Sequence, residues 1–163
     1  MARKDPDLRL FIVGDGPERE NLQDFVREEN LTECVIFAGE VPWDKIQNYY
    51  AAGDVFVSGS TSETQGLTYA EALACGKPLL VRQDDCLAGI LCPGRNGYAY
   101  RNEQEFEEGY RNLFEREEYL AMRDAARRSI VHLSSQEFGA GVEKIYINLC
   151  HTHGMYTGKQ KKA

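Results

Sequence analysis

Four short apolar runs punctuate the first half of the chain: "LRLFIVG" at Leu8–Gly14, "CVIFAG" at Cys34–Gly39, "DVFVSGS" at Asp54–Ser60 and "PLLV" at Pro78–Val81. The first is stopped by the turn cluster "GDGP" and suits a strand buried on both faces, as in a parallel sheet. The segments between the runs carry helix signals. Pro17 stands at a first-turn position ahead of Glu18, Arg19 and Glu20, with Leu22, Phe25 and Val26 as apolar positions and an end near Asn30. Pro42 opens a second helix in which Trp43, Ile46, Tyr49 and Tyr50 recur at helical spacing. Trp43, Tyr49, Tyr50 and Phe56 read as core packing. A third helix spans about Gly66 to Cys75, and "NGYAY" (Asn96–Tyr100) predicts a turn and a short fifth strand.

Helices close the chain. Phe106, Tyr110, Leu113 and Phe114 mark one, Tyr119–Val131 another, and "SSQE" at Ser134–Glu137 caps a last one through Ile145, Tyr146 and Leu149. Strand and helix thus alternate four times before the helical end, which predicts an α/β, doubly wound domain around a parallel sheet. One domain is expected over residues 1–150, with residues 151–163 a disordered tail.

Composition limits the function classes. With 163 residues and a formal net charge of −7, the chain is not expected to bind nucleic acid through its overall field. An anionic ligand would have to be held by local devices, such as a helix N-terminus. No apolar stretch is long enough to span a membrane, and the start lacks the apolar region of a signal peptide. The five cysteines show no regular framework, so reduced thiols and a cytoplasmic location are expected. "CHTH" at Cys150–His153 lacks a full ligand set, and Asp84 and Asp85 read as a solvated pair; no metal site is expected.

The stretch "STSETQGLTYAEALACGKPLLV" (Ser60–Val81) carries the chemistry. Ligands of open parallel sheets sit beyond the carboxyl ends of the strands, and this loop leaves the third run for a helix start. Gly66 permits close backbone approach, and the N–H groups of Gly66, Leu67 and Thr68 at a helix head suit phosphate. A carboxylate suits the vicinal hydroxyls of a sugar, since it can accept from both. Glu63 and Glu71 flank that helix start, which points to a ligand ordered sugar, phosphate, sugar. Spacing alone leaves a bland reading open, with Glu63 in an exposed loop and Glu71 on a solvated helix face.

"SETQGLTYAEALACGKPLLV" resembles the E-x7-E signature of the retaining GT-B glycosyltransferases of family 4, and "LRLFIVGDGPERENL", "VIFAGEV", "YYAAGDVFVSGS" and "NGYAY" follow in that family's order. The resemblance spans about Asp5–Tyr146. It implies the C-terminal, Rossmann-like domain that binds a nucleotide-sugar donor. By motif position, Glu63 would contact the transferred hexose as the catalytic residue, and Glu71 would hold the ribose. Gln65, Gly66, Leu67 and Thr68 would meet the sugar and diphosphate, Gly14 and Gly16 would line the cleft, and Gly39 to Val41 would lie near the base. Such enzymes use no metal or other cofactor. "SETQGLTY" with "DDCL" is similar to bacterial diacylglycerol glucosyltransferases, which implies UDP-glucose ahead of other UDP- or GDP-sugars, a lipid or glycan acceptor, and a cytoplasmic protein peripheral at the inner membrane face.

The match also breaks. The family domain begins with a further strand and helix that carry an arginine and a lysine for the diphosphate, and here "ARKDPDLRL" stands in their place. The N-terminal acceptor domain is not matched either, so the chain alone is expected to be inactive. The unmatched strand lies mid-sheet in that family, so either its neighbours close the gap or the domain is marginally stable. Two alternatives outside the enzyme class are a flavodoxin- or receiver-like binding module and an interaction fragment without ligand. A receiver would need paired acidic residues after the first strand, where only Asp15 stands.

Overall fold

The computed structural model describes residues 5–61, 66–114 and 116–152. Among these, the order is β1 (Leu10–Val13), α1 (Arg19–Glu28), β2 (Val35–Gly39), α2 (Trp43–Ala52), β3 (Phe56–Ser58), α3 (Leu67–Ala74), β4 (Leu79–Arg82), β5 (Gly97–Tyr100), α4 (Glu103–Leu113), α5 (Arg116–Ser129) and α6 (Ser135–Thr152). Short 3-10 turns follow β4 and α5. The predicted elements are all present, and α6 continues to Thr152.

Helix ends follow local chemistry. Asn30 takes φ 56°, its N–H donates to Arg27 O, and Leu31 N–H reaches back to Val26 O, a Schellman closure of α1. Gly76 closes α3 in the same manner at φ 71°, with its N–H on Leu73 O and Lys77 N–H on Ala72 O. An added Cβ at Gly76 would lie 2.6 Å from Arg127 Nε, so α5 packs directly over this turn. The Asn102 side chain accepts from Glu105 N–H to cap α4.

Every strand pairing is parallel: β1 with β2, β3 with β4, and β4 with β5. The strands form two sheets, β1-β2 and β3-β4-β5. Set on the doubly wound order 3-2-1-4-5-6, they are the two wings on either side of the first position. β1 and β3 do not pair with each other among the described residues. Among the described residues no strand pairs with the second edge of β1 or of β3. Phe56 of β3 is already committed to its own wing, packed between Tyr50 and Tyr69.

The core lies around β4. Leu79 and Val81 point into a cluster with Tyr69, Ala72 and Leu73 of α3 and Ala126 of α5; Leu80 points oppositely, against Leu113 and Met122. This is the two-residue alternation of a strand covered on both faces. Burial of β1 does not match its apolar sequence: Leu10, Phe11 and Val13 are 42%, 44% and 36% exposed. The reading of Trp43 and Tyr49 as core also fails. Trp43 is 84% exposed and Tyr49 36%, because α2 buries none of its residues fully. Tyr50 and Phe56 do pack against the core.

Candidate functional site: the head of α3

Gly66 precedes α3 in the left-handed conformation, φ 61° and ψ 30°. A Cβ there would press on Ile90 Cδ1 at 3.1 Å and Tyr69 Cδ2 at 3.2 Å, so both backbone and space call for glycine. The N–H groups of Tyr69 and Ala70 turn back to Gly66 O. Those of Gly66, Leu67 and Thr68 consequently stand ahead of the first intrahelical bond, at the positive end of the helix. Thr68 is exposed, and Leu67 is 62% exposed.

Glu71 stands one turn further on, in line with Leu67 and Thr68 at helical spacings of four and three. Its Oε2 accepts from the Tyr50 hydroxyl at 2.9 Å, and that hydroxyl also lies 3.5 Å from Thr68 O. Burial, with the Glu71 carboxylate next, pushes the Tyr50 hydroxyl above the ordinary tyrosine range. The loop leading in from β3 is anchored by Tyr100, whose hydroxyl donates to Ser58 O at 3.1 Å. Glu63 and Gln65 lie outside the described residues.

The remaining predicted residues gather at the carboxyl ends of β1 and β2. Gly14, at φ 122°, donates its N–H to Gly39 O at 2.8 Å, and Gly16 O accepts from Arg19 N–H. Val41 follows and leads into α2. The site is thus distributed over both wings. Gly14, Gly16 and Gly39 lie on one, Gly66 to Glu71 on the other, and α2, which follows Val41, brings Tyr50 to Glu71.

Two residues here escaped the sequence reading. Arg19 places its guanidinium over Gly39, 3.3 Å from where a Cβ would be, and pairs with Asp15 Oδ2 at 2.6 Å. Its i,i+4 spacing from Asp15 was the available signal. Tyr50 was legible only as apolar, since nothing local announces a hydrogen bond across 21 residues. Asp84 is more than a solvated residue, because it accepts from Cys86 N–H and caps the turn after β4. Beyond that strand lies an open cavity of about 260 Å³, lined in part by Gln83, Asp84, Asp85 and Leu91 and, among the described residues, by none of the predicted donor residues.

Residues 1–129 match the family described as glycosyl transferases group 1. The chain belongs to that family. This glycosyl transferase sequence is 30% identical over 145 residues to an alpha-monoglucosyldiacylglycerol synthase of Acholeplasma laidlawii, covering 88% of this chain and 36% of the relative. It is 29% identical over 152 residues to the synthase of the same name from Streptococcus pneumoniae, covering 91% and 33%. The chain therefore spans about a third of the length of these relatives. Among solved structures, the pneumococcal O-GlcNAc transferase in complex with UDP and GlcNAc superposes with a TM-score of 0.80 at 21% identity, over 92% of this chain and 31% of that one. Sucrose-phosphate synthase from Thermosynechococcus elongatus gives 0.76 at 22%, over 88% and 39%. These likenesses show the fold, the Rossmann-like half of a GT-B glycosyltransferase, and the family match displaces the flavodoxin- or receiver-like alternative.

Proposed function

We propose that the chain is the donor half of a retaining hexosyltransferase that takes its sugar from a nucleotide diphosphate, UDP-glucose ahead of a GDP-sugar, and delivers it to a lipid acceptor. The observation that carries this reading is the corner at Gly66–Glu71. Helix-head N–H groups, the exposed Thr68 and a held carboxylate follow one another along one face of α3. In this reading the ribose hydroxyls donate to Glu71. The diphosphate meets the N–H groups of Gly66, Leu67 and Thr68, and Glu63 and Gln65 stand beside the hexose. Gly14 and Gly16 line the opposite wall, with Gly39 and Val41 near the base. As the bond from the anomeric carbon to the diphosphate breaks, the helix dipole and N–H donors stabilise the leaving charge without a metal.

The lipid acceptor rests on the names of the first two relatives, both diacylglycerol glycolipid synthases. Among the described residues no helix is long and apolar enough to cross a membrane; in this reading the protein meets its lipid acceptor peripherally, at the inner face. Acceptor-binding groups are assigned to polypeptide outside the matched third of the relatives, so these residues alone are expected to bind donor without transferring sugar. Calorimetric titration with UDP, GDP and UDP-glucose tests the reading. UDP should bind more tightly than GDP, and Glu71→Ala should weaken UDP on the order of tenfold or more. If no nucleotide perturbs the amide resonances of Gly66–Glu71, the assignment fails.

A further inference from the structure

We propose that Tyr50 is a positioning residue for nucleotide binding: its hydroxyl fixes the Glu71 carboxylate in the orientation that accepts the ribose hydroxyls. This rests on the reading of Glu71 given above. Three observations carry it. The Tyr50 hydroxyl donates to Glu71 Oε2 at 2.9 Å, a charge-assisted bond from α2 to α3. The ring is seated by aromatic contacts that run Tyr50–Phe56–Tyr69, each with centroids 5.9 Å apart, from α2 through β3 to α3. The same end of α2 is held a second time, where the side chain of Lys77, a residue only 6% exposed, donates to Ala51 O at 3.1 Å from the turn after α3. A cation at the last carbonyls of α2 also suits its dipole.

The consequence follows from the carboxylate's capacity. An ionised glutamate offers about four lone-pair sites. The tyrosine takes one on Oε2, so Oε1 and the rest of Oε2 stay available to a vicinal diol. An unheld glutamate would have to be ordered by the ligand, whereas one fixed beforehand is not penalised at binding. Tyr50 touches no ligand in this scheme and acts only through Glu71.

The test titrates UDP and 2′,3′-dideoxy-UDP against the wild-type chain, Tyr50→Phe, Glu71→Ala and the double variant. Phenylalanine keeps the ring and its packing, so dideoxy-UDP should bind Tyr50→Phe as it binds wild type, while the preference for UDP falls about three- to tenfold. Glu71→Ala should abolish that preference, and the double variant should lose nothing more. If Tyr50→Phe weakens both nucleotides equally, or leaves the preference intact while Glu71→Ala removes it, the positioning role is wrong and the ribose role of Glu71 stands. If Glu71→Ala keeps the preference, the ribose reading itself is overturned. A second measurement needs no ligand. In ¹³Cζ spectra at neutral pH, the Tyr50 resonance should move in Glu71→Ala as the hydroxyl loses its carboxylate partner, and an unchanged resonance would overturn the contact.

Discussion

β1 and β4 carry nearly the same local signal, "LFIV" against "LLVR", and end in opposite environments. Leu79, Leu80 and Val81 of β4 are wholly buried, with β3 and β5 on its edges and helical side chains on both faces. Among the described residues β1 pairs only with β2. Its helix covers it poorly: in α1 Leu22 and Phe25 are 45% and 56% exposed, and an open cavity of about 260 Å³, lined in part by Val26, Val35 and Phe37, lies at the α1–β2 face. A continuous apolar run therefore encodes a strand fit for a parallel sheet. Whether it becomes buried depends on elements elsewhere in the chain, here α3, α4 and α5 for β4.

The largest expected contrast is in stability. Leu80→Ala removes a wholly buried side chain that packs with Leu113 and Met122, and should cost about 2–5 kcal/mol in urea unfolding. Phe11→Ala, at a residue 44% exposed, should cost less than about half of what a buried phenylalanine would. Equal losses would mean that the β1–β2 wing is covered in solution. A high midpoint on a monomer would likewise count against the expectation of a marginally stable domain. Hydrogen exchange reads the same contrast without mutation. Amides of β1 and β2 should exchange on the order of a hundredfold faster than those of β4 and β5; matching protection would show the two wings opening as one unit.

The legible parts of this molecule are those set by local chemistry. The five strands and their order came from apolar runs and turns, the α1 end was read near Asn30 and the α3 end near Cys75, and the phosphate-friendly helix head came from Gly66. Burial of β1 was illegible because the apolar run does not say how many neighbours the strand will have. Trp43 misled for a related reason, since helical spacing of aromatics predicts a buried face only where another element covers it. The Tyr50–Glu71 bond was hidden by sequence distance, with the donor on α2 and the acceptor on α3.

Two glycines sharpen the comparison on a smaller scale. Gly97 opens β5 at φ 153°, and a Cβ there would sit 2.3 Å from Leu79 O, inside the β4–β5 ladder. Gly14 follows β1 at φ 122°, with nothing among the described residues within 4 Å of the same position. Gly14→Ala should therefore carry backbone strain alone, about 1–3 kcal/mol, while Gly97→Ala adds a backbone collision and should cost more. If circular dichroism melts rank them the other way, the β1–β2 wing is the more tightly built of the two.

The smallest effect belongs to the ion pair on the open wing. Asp15 accepts from Gly16 N–H at 2.8 Å and from Arg19 at 2.6 Å, and these two bonds, the backbone one first, hold its carboxyl below the ordinary value of 3.8. A carboxyl depressed in the folded state contributes stability above pH 3.8, and that contribution is lost as pH falls through the lower folded value. Wild type should thus lose its advantage over Asp15→Asn on the acid side of pH 3.8, and at neutral pH the difference between them should shrink in 1 M salt. Both side chains are solvent-accessible, 49% for Asp15 and 34% for Arg19, so the shift in midpoint should be far below that of Leu80→Ala. A loss as large as that of Leu80→Ala would mean that charge, not apolar cover, holds the β1–β2 wing in place.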